Sequence, residues 1–272
     1  MRRVLTILIL ALCLPAVLRA QIDSTRVAGL DSLLTQFYAA MELEDVDTKN
    51  AEADFLIRTC IDSLLRQHVA LSVFDHYMES RVMGEEAVAI HVYDEWFEPG
   101  KVSFQGELDR MDAEVFVKFN RNSLIGMDAP RDTLLKPCGG RELMPAAGRT
   151  ALIFFYDTHC AKCRLEFSVL PAVLSEADFK LNLYLVYNGS DKESWKSFRR
   201  QLRIRNKNVR VIHLWDPELE SGYQFDYAVY ATPRVFLVEP GGMIIGRRLE
   251  MENVRELLPV AGAIQKTYDK YK

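Results

Sequence analysis

ALIFFYDTHCAKCRLEFSVLPAVL, Ala151 to Leu174, contains an apolar run, a short loop, two cysteines two residues apart and an amphipathic stretch. Ala151 to Tyr156 reads as a buried strand, and Asp157-Thr158-His159 as the loop leaving it. Cys160-Ala161-Lys162-Cys163 then opens a helix on which Leu165, Val169, Ala172 and Val173 recur at helical spacing. A CxxC at a strand-to-helix junction is a redox signature, because the first helical turn brings the two sulfurs within bonding distance. The nucleophile of thiol–disulfide exchange is the thiolate. Cys160 falls at the helix N-terminus, where free N–H groups and the dipole favour negative charge. Lys162 and His159 add positive potential, and both effects lower the Cys160 pKa below the ordinary value of about 8.5. Cys163, one turn in, is the shielded resolving thiol.

Working outward, the chain has 272 residues and a formal charge of −4, with 49% apolar and 26% charged residues. This is globular composition, and no Lys/Arg-dense face points to nucleic acid. The basic run Arg199 to Arg210, RRQLRIRNKNVR, reads as the solvated end of a helix plus a loop rather than a binding patch. Met1-Arg2-Arg3, the apolar Val4 to Leu18 and Leu18-Arg19-Ala20 form a secretory signal peptide by pattern, residues 1–20, either cleaved after Ala20 or retained as an anchor. Cys13 follows Leu12, not the small residue a lipid-attachment site wants. Cleavage removes Arg2, Arg3 and Arg19 and takes the charge from −4 to −7. No second run of about 18 apolar residues follows, so no transmembrane segment is expected in the mature chain. Export places the four remaining cysteines, Cys60, Cys138, Cys160 and Cys163, where disulfide chemistry persists.

From Ile22 to about Phe119 the pattern is helical. Val27, Leu30, Leu33, Leu34, Phe37, Tyr38 and Met41 trace one stripe; Phe55, Leu56, Cys60, Leu64, Leu65, Leu71 and Phe74 trace a second. Ala87 to Phe97 suggests a third helix stopped by Pro99-Gly100, and Gly106 to Arg121 a fourth with Leu108, Met111, Val115, Phe116 and Phe119 inward. His68 and His76 lie eight apart without a third ligand, so no metal site is expected. After Ser123 short apolar runs alternate with helical stretches, the sign of an α/β domain. Leu181–Tyr187, Val209–Leu214, Arg234–Val238 and Met243–Gly246 read as strands, the last two joined by Glu239-Pro240-Gly241-Gly242. Ser190-Asp191-Lys192-Glu193 has the form of a capping box before Trp195 and Phe198; Pro217–Tyr227 and Glu252 to about Tyr268 read as helices. The expected organisation is a signal peptide, 1–20, a helical domain, 21–122, and an α/β domain, 123–272.

The order of elements in residues 124–268 resembles the thioredoxin fold, and within it the exported TlpA-like thiol–disulfide oxidoreductases. Three segments carry the likeness. Ile125-Gly126-Met127-Asp128-Ala129-Pro130 resembles their G-x-x-A-P lead-in; Cys160-Ala161-Lys162-Cys163-Arg164-Leu165-Glu166 matches C-x-x-C-x-x-E; and Ala231-Thr232-Pro233-Arg234-Val235-Phe236-Leu237-Val238 matches x-T-P-x-x-F-L-x before a hairpin. The helical part, through Val82–Val88 and Tyr93–Phe97, is similar to regions found ahead of such domains in some Gram-negative envelope proteins. The resemblance implies a central mixed sheet flanked by helices, a cis bond at Thr232-Pro233 beside the CxxC, and a loop there that pairs with an extended partner chain.

It also implies an enzyme: a periplasmic or otherwise exported oxidoreductase, the reductase direction slightly favoured. Cys160 attacks and Cys163 resolves, with no cofactor beyond the Cys160–Cys163 disulfide. The partners are envelope protein thiols or disulfides and an upstream electron donor or acceptor. Three positions depart from the family. Phe154 occupies the strand position of the buried acid of thioredoxin, Asp157 belongs to the loop, and His159 replaces an aromatic residue. Glu166 either accepts a proton or decorates the helix surface.

The rival is a non-catalytic envelope scaffold with a thioredoxin-like platform. A zinc half-site would need Cys60, Cys138 or a histidine nearby. No C-x-x-C-H marks haem attachment, and Asp157 stands where a peroxiredoxin has threonine. Cys138, on the Lys136–Gly140 turn, either pairs with Cys60 or stays a thiol; Cys60 otherwise reads as a small buried hydrophobe.

Overall fold

The computed structural model describes residues 24–272, with side chains from Gly29 onward. The expected leader, Cys13 and the side chain of Val27 lie outside the described residues. Two compact units divide at Val117/Lys118.

The first unit is helical: α1 (Ser24–Met41), α2 (Val46–Thr59), α3 (Ser63–Met78), α4 (Glu86–Val92) running into a π-helical turn (Tyr93–Phe97), and the start of α5 (Glu107–Asn120). Leu30, Leu33, Leu34, Phe37 and Met41 of α1 are buried as their spacing predicts. The second stripe is two helices rather than one. The Asp62 carboxylate accepts from the N–H groups of Leu64 and Leu65 and starts α3 afresh, which an apolar count does not register. Cys60 sits at that break, fully buried, its thiol donating to the Leu56 carbonyl at 3.6 Å. Phe74 anchors an aromatic cluster with Tyr93, Phe97, Phe104 and Phe116. His68 sits 2.6 Å from Asp31, and His76 stacks on Tyr38.

Helix α5 keeps Phe116 and Phe119 half-buried but turns the rest of its expected inward face outward. Leu108 is 75% exposed, Met111 and Val115 are exposed too, and the buried positions are Ala113, Val117 and Asn120. Arg110, bonded to Glu107 and Glu114, marks the solvent side.

The second unit is a seven-stranded sheet in the order β2-β1-β5-β4-β3-β6-β7. Its elements are β1 (Asp132–Leu135), β2 (Arg141–Met144), β3 (Thr150–Tyr156), α6 (Ala161–Ser175), β4 (Leu181–Tyr187), α7 (Lys192–Gln201), β5 (Val209–Trp215), α8 (Tyr223–Asp226), β6 (Arg234–Val238), β7 (Ile244–Arg247) and α9 (Met251–Tyr271). Strands β3, β4 and β5 are parallel; β6 runs antiparallel to β3 and β7 to β6. Every residue of β3 and β4 is buried, which is why both read as unbroken apolar runs. Leu152, Phe154 and Tyr156 face one core, with residues of α6 and α9; Ala151, Ile153 and Phe155 face the other, with Tyr223 and Tyr227.

Four differences from the sequence reading have local causes. The β1–β2 hairpin was not expected; its tip, Lys136–Gly140, carries an exposed Cys138 and uses positive φ at Gly139 and Gly140. Pro217–Tyr227 is not a helix except at α8. Asp216 accepts from the backbone of Glu220 and Ser221 and from the Ser221 hydroxyl, a closed turn that competes with helix. Asp191 rather than Ser190 caps α7, accepting from Glu193 and Ser194 N–H. On α6 Val173 is buried as expected, but the inward stripe it joins is Cys163, Phe167, Leu170 and Leu174, whereas Leu165, Val169 and Ala172 face out.

One buried and one half-buried group in this unit titrate in opposition. Burial and then the charges of Asp226 and Asp216 push the Asp132 carboxyl up from 3.8 to about 7. Burial, then Arg199, pushes His213 down from 6.5 to about 4. The raised Asp132 contributes stability present below pH 3.8 and lost as pH rises to about 7. The depressed His213 contributes stability present above 6.5 and lost as pH falls to about 4. The wild type is therefore expected to show a shallow profile between pH 4 and 7. Asp132→Asn should give stability that rises with pH across that window and His213→Gln stability that falls, each by about 2 kcal/mol in urea titrations. Parallel profiles for all three proteins would contradict this.

Candidate functional site

Helix α6 starts where β3 ends, and Cys160 is its N-cap. The Asp157 carboxylate accepts from the His159 N–H at 2.7 Å, the Cys160 N–H donates to the Asp157 carbonyl, and Arg164 donates to the Thr158 carbonyl at 3.3 Å. The loop Asp157–His159 is thus pinned at both ends, and Asp157, in the loop as expected, is half-buried by these bonds.

Cys160 and Cys163 form a disulfide with Cα atoms 5.2 Å apart, the only disulfide among the described residues. The Cys163 N–H donates to Cys160 Sγ at 3.0 Å. Cys160 is partly exposed and Cys163 fully buried. After reduction, the same N–H and the helix terminus would face a Cys160 thiolate. On the other side, Cys160 Sγ lies 3.3 Å from the Thr232 carbonyl oxygen, and the Thr232–Pro233 peptide is cis. The topology explains this meeting: β6 is the antiparallel neighbour of β3, so the loop before β6 arrives beside the loop after β3.

The charged neighbours are less free than their types suggest. Lys162 pairs with Glu250 at 2.7 Å, and the exposed His159 ring lies 3.2 Å from Asp157. Both side chains have a carboxylate at hand, which offsets much of the Lys162 potential at Cys160. Glu166 does not decorate the surface. It is buried, and its Oε2 accepts from the Met251 N–H at 2.8 Å, capping the first turn of α9. Phe154 is fully buried and stacks on Phe167 with centroids 4.4 Å apart, so this strand position beneath the cysteines holds an aromatic pair and no carboxylate.

Two residues at this site were not anticipated. Glu250 is tied to Lys162 across 88 positions, and no local signal marks it. Tyr230, exposed beside the Thr232 loop with Arg234 over its ring at 4.8 Å, is an aromatic residue that the pattern of buried strands passes over.

No family model and no curated protein matches the chain. Among solved structures, it is similar to a thioredoxin-like protein from Bacteroides caccae ATCC 43185. That match has a TM-score of 0.66 at 14% identity, covering 91% of this chain and 97% of that one. The fold is thioredoxin-like. The expected architecture, a thioredoxin-like mixed sheet flanked by helices and preceded by a mostly α-helical region, is the one observed. The chain is also similar to the thioredoxin domain of a thiol-disulfide oxidoreductase from Bacteroides vulgatus, with a TM-score of 0.44 and 19% identity over 50% of this chain and 96% of that one. A thiol:disulfide interchange protein from Bacteroides sp. matches with a TM-score of 0.43 and 19% identity, over 51% and 90%. Among the described residues no group of histidine, cysteine and carboxylate side chains is arranged to hold a metal, and no helix is long and apolar enough to cross a membrane.

Proposed function

We propose that the chain is an exported thiol–disulfide oxidoreductase that exchanges disulfides with proteins of the cell envelope, with Cys160 as nucleophile and Cys163 as resolving thiol. The contact of Cys160 Sγ with the Thr232 carbonyl, 3.3 Å, carries this reading. It sets a half-exposed sulfur at a helix N-terminus against a backbone edge on which an extended partner segment can lie.

The chemistry balances within the pair. The Cys160 thiolate attacks one sulfur of a partner disulfide, forming a mixed disulfide and releasing the other partner sulfur as thiolate. Cys163, deprotonated, attacks Cys160 Sγ, closing the Cys160–Cys163 bond and releasing the second partner sulfur. The partner gains two electrons and the chain loses two, which an upstream dithiol restores. Reduction of partners is the favoured direction. The dithiol is the whole redox group, so the reading requires no cofactor. His159, Lys162, Asp157 and Glu166 are its tuning residues, acting on loop shape and on α9 as much as on charge. The organisation that goes with it is a leader over 1–20, a helical domain over 21–122 and the thioredoxin-like domain over 123–272, in the periplasm or otherwise outside the cytosol.

Insulin reduction by the purified chain with dithiothreitol tests the activity. The wild type is expected to accelerate precipitation of the insulin B chain, and Cys160→Ser to abolish the acceleration. A wild type no faster than dithiothreitol alone, or an unaffected variant, favours the non-catalytic scaffold.

A further inference from the structure

From Lys196 to Trp215 the chain has seven lysines and arginines and no aspartate or glutamate, although acids outnumber bases 38 to 34 overall. Residues 202–206 in this stretch form neither helix nor strand, 207–208 turn into β5 through a Val209 N–H to Asn206 carbonyl bond, and burial alternates along the segment. Leu202 and Ile204 pack against the core under α6, while Arg203, Arg205 and Lys207 are exposed. Asn206 fastens the segment: its Nδ2 donates to the carbonyls of Leu174 and Ala177, at 2.8 Å each, at the end of α6. The three cations line an open cleft of about 710 Å³ whose other wall is Pro171, Ala172 and Ser175 of α6. No carboxylate lines it. The region's ion pairs go to its ends, Lys196 with Glu193 and Arg210 with Glu142; Arg203, Arg205 and Lys207 make none among the described residues.

We propose that this cleft docks an extended acidic segment of a protein partner. Like charges held side by side on a fastened segment repel one another, and a bound anion relieves that repulsion. Alternate residues of an extended peptide recur about every 6.6–6.8 Å, so its carboxylates can reach the alternating Arg203 and Arg205, with Lys207 on the following turn closing the cationic end of the cleft. Arginine presents a planar fork suited to carboxylates. The cations line a cleft against α6 rather than a flat face, a shape that suits a peptide segment better than a bilayer. That the occupant belongs to a thiol–disulfide partner rests on the proposed function. Ala172 lies twelve residues along the same helix from Cys160, about 18 Å, a reach of five or six extended residues.

The test is fluorescence anisotropy of a labelled, cysteine-free decapeptide alternating glutamate and threonine, titrated with the purified chain at several salt concentrations. Saturable binding that weakens with salt is expected, reduced at least tenfold in Arg203→Ser/Arg205→Ser/Lys207→Ser. These positions are exposed, so the variant should keep the wild-type circular dichroism and melting temperature. Absence of binding, binding undiminished in the triple variant, or tighter binding to phosphatidylglycerol vesicles or tripolyphosphate than to the peptide would overturn the proposal. The peptide carries no cysteine, so its binding and the insulin assay fail or succeed independently.

Discussion

Cys163→Ala is expected to hold Cys160 in covalent union with its natural partner, visible as a high-mass adduct on non-reducing gels that disappears with dithiothreitol. Cys163 is fully buried while Cys160 is partly exposed, so only Cys160 meets an incoming disulfide. Once the mixed disulfide forms, the sulfur that would cleave it is absent, and insulin turnover should fall by at least about a hundredfold. Removing one buried sulfur leaves a small cavity costing about 1 kcal/mol, which preserves the fold. Exposed Cys138 is a competing thiol, so the variant is best made with Cys138→Ser. Adducts that survive in Cys160→Ser/Cys163→Ala, or none at all in Cys163→Ala, would contradict the assigned order of attack.

The second large effect belongs to the aromatic stack under the site. Phe154→Ala should destabilise the thioredoxin-like unit by about 3–5 kcal/mol, because Phe154 is fully buried and loses its stacking on Phe167 and its edge contact with Tyr156. Thermal unfolding should then fall by about 10 °C or more. The Cys160–Cys163 pair packs on the same core, so the variant also tests whether the sulfurs depend on that stack for position. A loss below about 1 kcal/mol would mean the core closes over the vacancy.

What was legible in the sequence is what is local. The CxxC opens α6 and Thr232-Pro233 opens β6, each in a few consecutive residues, and the all-apolar runs of β3 and β4 reflect burial on both faces. What was not legible depends on choices between near-equal local options or on distant partners. Helix α6 offers two apolar stripes, and the inward one is that of Cys163, Phe167, Leu170 and Leu174, larger than the Leu165, Val169 and Ala172 of the stripe read from spacing, in which only Val173 is buried. Helix α5 likewise offers Ala113 and Val117 against Leu108 and Val115. The bond of Glu166 to the Met251 N–H spans 85 positions, so whether that carboxylate is solvated or structural is written in the return of α9, not in its own neighbourhood. Asp62 and Asp216 carried usable signals, since a short acid before a run of N–H groups starts a helix in one case and closes a turn in the other.

Cys160–Cys163 is expected to be a working redox couple rather than a fixed staple. Equilibrating the chain in glutathione buffers of graded ratio, then quenching with acid and counting alkylated cysteines by mass, measures this directly. A reversible two-electron transition confined to Cys160 and Cys163, with circular dichroism unchanged, is the predicted result; a pair that resists reduction until the chain unfolds would contradict it.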